Sequence, residues 1–184
     1  MYFPINDFVI IHKANLGSKS RLKSDLAATF SQTKQVGNIK ASDILRNAGL
    51  VNTYFPEDSR VYLEEAVPRT KVNLSNSLTS GKLNVFLRNV YFGKVTEATT
   101  NINRQQVFGS KIVTDLSVGY KPSENVTFTI GANNLLDIYP DRASTELADG
   151  GNNRSSGRFD WSRRAQQFGI GGRFVFARLS FNLQ

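Results

Sequence analysis

The chain has 184 residues, 40% hydrophobic and 21% charged, with 23 Lys and Arg against 15 Asp and Glu, a net charge of +8. That length fits one domain or a piece of a larger one, and thirteen Phe, six Tyr and one Trp exclude a disordered chain. With no Cys and a single His, these residues supply no disulfide, no thiol nucleophile, no Ser–His–Asp triad and no Cys- or His-based zinc site.

Taken in chain order, the recurring signal is alternation of apolar and polar residues, the pattern of a strand with one apolar face. Phe8–Asn15 and Arg21–Ser31 flank a turn at 16–20, and in the second of these Leu22, Leu26, Ala28 and Phe30 oppose Lys23, Asp25 and Thr29. A long connection, roughly 36–69, precedes a strand in which Val72, Leu74 and Leu78 alternate with Lys71, Asn73, Ser75 and Ser77. Ser80-Gly81 turns the chain into Leu83–Thr96, where Phe86, Leu87, Val90, Tyr91 and Phe92 fall on both faces. After a second long connection, 97–107, the stretch 108–120 sets Ile112, Thr114, Leu116, Val118 and Tyr120 against Lys111, Val113, Asp115, Ser117 and Gly119. A Pro-containing turn at 121–125 leads to 126–133, with Val126, Phe128, Ile130 and Ala132 on one face, predicting an antiparallel hairpin. The third long connection, 135–168, precedes a last strand, Arg173–Asn182, in which Val175, Ala177, Leu179 and Phe181 share a face.

Seven strands with strictly alternating short and long connections predict an all-β, antiparallel up-and-down meander, its tight turns at one rim and its long loops at the other. Long structureless loops are uncommon in compact domains and usually carry function. Several strands reach the roughly 9–11 residues needed to cross a bilayer, against about 5–6 in soluble sheets. Short turns, long loops and long strands together predict a segment of a membrane β-barrel, with apolar faces toward lipid and polar faces toward a lumen. A small soluble β-barrel or sandwich, binding a ligand through its long loops, is the alternative that alternation leaves open. No apolar run approaches the roughly 20 residues of a membrane-spanning helix, and the first residues lack a signal-peptide pattern.

Particular residues carry a resemblance. Asp115-Leu-Ser-Val-Gly-Tyr-Lys-Pro-Ser123, Gly131-Ala-Asn-Asn-Leu-Leu-Asp137 with Tyr139-Pro140, and Gln167-Phe-Gly169 followed by Gly172-Arg-Phe-Val-Phe-Ala-Arg-Leu-Ser-Phe181 resemble the closing strands of TonB-dependent outer-membrane receptors. Tyr62-Leu-Glu-Glu-Ala-Val-Pro-Arg69 and Tyr91-Phe-Gly-Lys-Val95 fit receptors of this type as well. The resemblance implies a barrel of about 22 strands around an N-terminal plug. Such receptors sit in the outer membrane of Gram-negative cells and import a scarce nutrient, such as a ferric siderophore, haem, cobalamin or an oligosaccharide, with energy delivered by TonB. About seven strands and no plug imply that 1–184 is a C-terminal barrel fragment, an open sheet in isolation. Its partners would be outer-membrane lipid, the plug and upstream strands, an extracellular small-molecule cargo, and TonB only through the missing part.

The search for chemistry yields no catalytic, cofactor-binding or metal residues, and the protein is expected not to be an enzyme. His12 stands in a strand-like run without carboxylates at ligand spacing; Asp149-Gly-Gly-Asn-Asn153 lacks a full calcium-loop pattern. Glu57-Asp58 and Glu64-Glu65, read as loop residues, are expected at the surface. No basic stripe points to nucleic acid. The loop 135–168 holds five Lys and Arg and five Asp and Glu. Its Arg142, Arg154, Arg158, Trp161, Arg163 and Arg164 are the candidate ligand-contact residues, because arginine pairs bidentately with carboxylates and phosphates. The competing expectation is that these arginines pair with Asp141, Asp149 and Asp160 of the same loop or with anionic sugars of the outer leaflet. Arg88, Lys111, Asp115 and Arg178 are expected to face the lumen. Tyr120 and Tyr139 are placed near opposite membrane interfaces. Gly131 is expected in close lumen-side packing, with Asn133, Asn134 and Asp137 bonding local backbone.

Overall fold

The computed structural model describes residues 4–98, 105–144 and 159–182. In chain order the elements are β1 (Ile5–Asn15), β2 (Ser20–Ser31), α1 (Asp43–Asn47), α2 (Val51–Tyr54), α3 (Glu57–Glu65), β3 (Thr70–Ser80), β4 (Leu83–Phe92), β5 (Val95–Glu97), β6 (Gln106–Phe108), β7 (Lys111–Ser123), β8 (Val126–Asn133) and β9 (Phe174–Phe181). Seven of the strands form one antiparallel sheet in the order β1-β2-β3-β4-β7-β8-β9, and β5 and β6 pair separately. Every neighbour in the large sheet is also the next long strand along the chain, so the topology is a meander. β1 does not pair with β9, and no second large sheet lies among the described residues. The expected open segment is therefore what forms, and neither a closed small barrel nor a sandwich does.

Register sorts the side chains into two faces. Ile11, Asp25, Ser75, Arg88 and Asp115 lie opposite one another in successive strands, and with them on one face stand Lys71, Ser77, Lys111, Ser117 and Arg178. All four residues expected to face a lumen thus share this polar face. The other face carries Ile10, Leu26, Leu74, Leu22, Leu78, Val85, Val118, Ile130 and Ala177 in matching rows. From the row of Leu83, Tyr120 and Phe128 to the row of Phe8, Val72, Tyr91 and Ile112 is eight residues, about 27 Å along a strand at about 3.4 Å per residue. Three polar pairs on this face bond internally, Ser20 Oγ with Ser80 Oγ, Ser24 Oγ to Asn76 Oδ1 and Thr114 Oγ1 to Asn89 Oδ1, each at 2.8 Å.

The tight turns gather at one rim. Gly81 N donates to Lys19 O at 3.0 Å and Lys121 N to Lys82 O at 2.8 Å, joining neighbouring turns. Between Ser80 and Leu83 the turn is two residues, and Gly81 takes φ 56°, the left-handed geometry that a two-residue hairpin asks of its first position. The turn expected at 121–125 is shorter: β7 runs on to Ser123 through an irregularity after Tyr120, leaving Glu124 and Asn125 as the turn.

Two further expectations are corrected. The connection 36–69 contains three short helices, so Glu57, Asp58, Glu64 and Glu65 stand on α3, and Asp58 and Glu64 are buried rather than at the surface. The strand expected over 83–96 breaks after Phe92, where Gly93 N turns to bond Thr70 O at 2.8 Å. Phe92 pairs with Lys111 and Val95 with Phe108, so each leg advances three residues and β5–β6 prolongs the β4–β7 register beyond the break.

The buried residues mostly lie beyond the sheet. Val61, Ala66, Val95, Ala98, Phe108 and Ala165 come from the three long connections and the β5–β6 ribbon, and Tyr62 packs against them. The long-loop rim is thus a cap with its own core, set on a sheet whose apolar face is uncovered.

Candidate functional site

The cap begins with α3. Pro56 precedes it, and Glu57 and Asp58 occupy its first turn, where the helix dipole favours negative charge. Helical spacing brings Glu57, Arg60 and Glu64 onto one side: Arg60 Nε donates to Glu57 Oε2 at 2.9 Å and Nη1 to Glu64 Oε2 at 2.7 Å, with a second Nη2 bond to Glu57. The Arg60 bond holds the Glu57 carboxyl below its ordinary pKa, against the opposing effect of burial. Buried Glu64 has further partners, accepting Gln35 N at 2.8 Å on its other oxygen and Arg69 Nε at 3.1 Å on its backbone carbonyl. Tyr62 Oη donates to Ala98 O at 2.8 Å, tying the helix to the end of β5.

Residues 159–168 close over this frame. Ser162 Oγ accepts Ala165 N at 2.8 Å and Arg164 N at 3.2 Å, making a local turn. Gln167 is buried and inserts at the break in the ribbon, where its Nε2 donates to Gly93 O at 2.6 Å and Gly109 O at 2.9 Å. Asp141 holds the other side, accepting Lys111 Nζ and Gly109 N, each at 2.6 Å. Chiefly through the Lys111 bond, and through Gly109 N–H, the Asp141 carboxyl is held below its ordinary range despite partial burial.

The candidate ligand-contact residues can now be placed. Arg142 forms an isolated antiparallel bridge with Trp161, and its carbonyl accepts Gln106 Nε2 at 2.8 Å. Trp161 stacks on Tyr139 with ring centroids 6.0 Å apart. Arg163 lies over the Phe159 ring at 4.8 Å, and Arg164 over Tyr62 at 5.1 Å in the field of Asp58 and Glu97. Arg154 and Arg158 lie outside the described residues, as does Asp149-Gly-Gly-Asn-Asn153. Arg163 and Arg164 are thus seated on aromatic rings, and among the described residues no ion pair joins Arg142, Arg163 or Arg164 to Asp141 or Asp160; Asp141 is taken by Lys111. Arg163, Trp161 and Phe159 line an open cleft of about 540 Å³. Tyr139 stacks on Trp161 at the long-loop rim and keeps part of its surface exposed, whereas Tyr120 stands half-exposed on the apolar face at the short-turn rim.

A second cleft, about 250 Å³, lies on the polar face beneath the cap, between Arg88, Phe92, Asp115 and the segment 168–172. Arg88 Nε donates to Asp115 Oδ2 at 2.7 Å, with a second bond from Nη2, while Asp115 Oδ1 accepts Asn134 N at 2.8 Å. Phe168 packs on Phe92 with centroids 5.3 Å apart, which explains why the inner face of β4 is apolar near its end. The Gly131–Asp137 motif behaves structurally. A Cβ on Gly131 would meet Phe176 Cζ at 2.6 Å and Ser117 Cβ at 2.7 Å. Asn134 and Asp137 adopt left-handed φ values of 50° and 58°. Asn134 exchanges bonds with Ile138, and Asp137 Oδ1 accepts Arg173 N at 2.7 Å. What the sequence reading missed is the α3 ion network and the Gln167 clamp. The Glu57–Arg60–Glu64 spacing is a helical signal that an all-strand reading passes over; a lone Gln carries no signal at all.

An open antiparallel meander of long strands, with tight turns at one rim and a structured loop cap at the other, is the wall architecture of an up-and-down barrel. The ferric enterobactin receptor PfeA of Pseudomonas aeruginosa, solved as its G324V mutant, has this arrangement. It superposes with a TM-score of 0.51 at 14% identity, over 93% of this chain and 21% of the receptor. The chain therefore has the fold of a segment of a TonB-dependent receptor barrel and spans about a fifth of that receptor's length. No family model and no curated protein matches the sequence.

Proposed function

We propose that this chain is a wall segment, the C-terminal one that the motifs resemble, of an outer-membrane TonB-dependent receptor that imports a scarce nutrient such as a ferric siderophore, cobalamin or an oligosaccharide. The observation that carries this reading is the alternation of short turns and long connections around a two-faced open meander, which superposes on part of a ferric enterobactin receptor. The apolar face lies in lipid, the polar face lines the lumen, and the cap stands on the extracellular side. β1 and β9 pair with further barrel strands, because an unpaired edge in lipid leaves backbone groups unsatisfied at several kcal/mol each. TonB and the plug act through parts of the receptor other than this segment. Of the connection 135–168, Arg142, Arg154, Arg158, Trp161, Arg163 and Arg164 contribute to cargo contact, with guanidinium groups for anionic chelates and aromatic rings for planar ones.

The absence of cysteine makes the test clean. Single cysteines in the protein in its native membrane are treated with a membrane-impermeant maleimide. Leu26→Cys, Leu74→Cys and Val118→Cys should stay protected, while Ser75→Cys, Ser77→Cys and Ser117→Cys react. Equal labelling of the two sets would remove the barrel-wall reading.

A further inference from the structure

A pocket of about 370 Å³ sits at the loop-side end of the apolar face, apart from both clefts described above. Thr70 and Tyr91 line it, and register places both on the apolar face, Tyr91 in the last row between Val72 and Ile112 and Thr70 at the next position on that face beyond Val72. Tyr91 Oη donates to Ser110 Oγ at 3.0 Å, which fixes an aromatic side chain with a polar tip at this border. Two cations complete the lining, Arg69 and Lys94, both exposed. Arg69 Nε is anchored on Glu64 O at 3.1 Å, while its terminal nitrogens and the Lys94 ammonium have no partner among the described residues. Glu65 is the one carboxylate in the lining, so the pocket carries one excess positive charge.

We infer that this pocket binds the phosphate head group of a membrane lipid, with Arg69 and Lys94 on the phosphate and the acyl chains along Val72, Leu74 and Ile112. The inference rests on the reading that the apolar face lies in lipid. The lipid source follows from the placement: an apolar band runs up to the pocket, and the two cations stand where head groups begin. Arg69 supplies a planar pair of donors suited to phosphate oxygens, Lys94 a mobile point charge, and Ser110 and Thr70 hydroxyls for the ester oxygens. Basic side chains at a membrane surface each strengthen binding to anionic lipid by about fivefold.

The test uses the protein purified in neutral detergent micelles carrying either dioleoyl phosphatidic acid or dioleoylglycerol, which share acyl chains and differ in the phosphate. Native mass spectrometry counts bound lipid. Phosphatidic acid should be retained and dioleoylglycerol lost. Lys94→Gln, which removes a side chain with no partner, should weaken retention about fivefold, and Arg69→Gln with Lys94→Gln about twenty-five-fold. Arg69→Lys should keep most of the binding, and Glu65→Gln should strengthen it by removing a like charge. Equal retention of the two lipids, an unaffected Lys94→Gln protein, weakening by Glu65→Gln, or displacement of phosphatidic acid by equimolar inorganic phosphate would each overturn the assignment. The cysteine pattern separates the two levels. Alternating protection without phosphate preference removes this inference alone; lost alternation removes the membrane reading beneath it.

Discussion

Leu74 and Phe108 are both apolar residues in antiparallel ladders, yet Leu74 keeps 39% of its surface exposed and Phe108 only 1%. The difference separates the two regions of the molecule. In the sheet, backbone pairing is continuous across seven strands while the apolar side chains point away from the protein. In the cap, ladder pairing is scant, three residues on each of β5 and β6, and apolar side chains from three distant connections meet one another. A sheet of the first kind needs an apolar solvent to complete it; the cap carries its own core and needs only a rim to stand on. The difference teaches that hydrophobic content alone does not say where a core lies.

Truncation is the strongest way to sharpen the contrast. Phe108→Ala should destabilise the cap by about 3–5 kcal/mol, because it leaves a cavity among fixed neighbours. Limited proteolysis should then cut within the cap first, while the far-ultraviolet signature of the sheet persists. Leu74→Ala, with no enclosing neighbours to leave a cavity, should cost less than about 2 kcal/mol in the same denaturation experiment. Comparable losses would break the comparison.

Gly131→Val probes the sheet from its inner face. The new side chain meets Phe176, Ser117 and the Leu116 carbonyl at once, the last at 2.8 Å from Cβ, and the expected cost is about 3 kcal/mol with loosening of the β8–β9 pair. Backbone amide exchange in β9 reads the effect; unchanged protection there would show that the face has slack. Asp115→Asn comes next, at about 2 kcal/mol, since it weakens the Arg88 pair and the bond from Asn134 N together. Arg88 is 44% exposed at its side chain, and solvent keeps the figure from being larger.

The smallest effect is at the seam between the two regions. Asp141 joins cap to sheet through Lys111 and Gly109, and its folded-state pKa is depressed by those bonds. Its contribution is therefore complete above the unfolded carboxyl value of about 3.9 and is lost as pH falls through the lower folded value. Asp141→Asn should lower the melting midpoint of the cap slightly near neutrality, under about 1 kcal/mol given the exposure of both partners, and the gap to the parent should vanish in strong acid. A gap that widens on acidification would contradict the assigned linkage.

The sheet was legible in the sequence because its faces see different surroundings, and period-2 alternation records that difference directly. Leu22, Leu26 and Ala28 against Lys23 and Asp25, or Val175, Ala177 and Leu179 against Arg178, needed only the pleat to be sorted. β1 is less readable, since Ile5, Val9 and Ile11 put apolar side chains on the polar face as well. The cap was illegible for the opposite reason. Its helices are four to nine residues long, and its core residues come from positions as far apart as Val61, Phe108 and Ala165. Of the candidate site residues, composition marked the arginines. Their seats on Phe159 and Tyr62, and the engagement of Asp141 by Lys111, depend on contacts between connections that no local pattern encodes.

The Gln167 amide also bears on the order of assembly. At the break between β4 and β5 the two carbonyls left by the ladder, on Gly93 and Gly109, are both satisfied by one donor that lies 74 and 58 positions further along the chain. Strand pairing between β4 and β7 spans a far shorter separation and closes at smaller entropic cost. Until residue 167 is in place both carbonyls lack this donor, so one glutamine side chain closes the joint between the sheet and the cap.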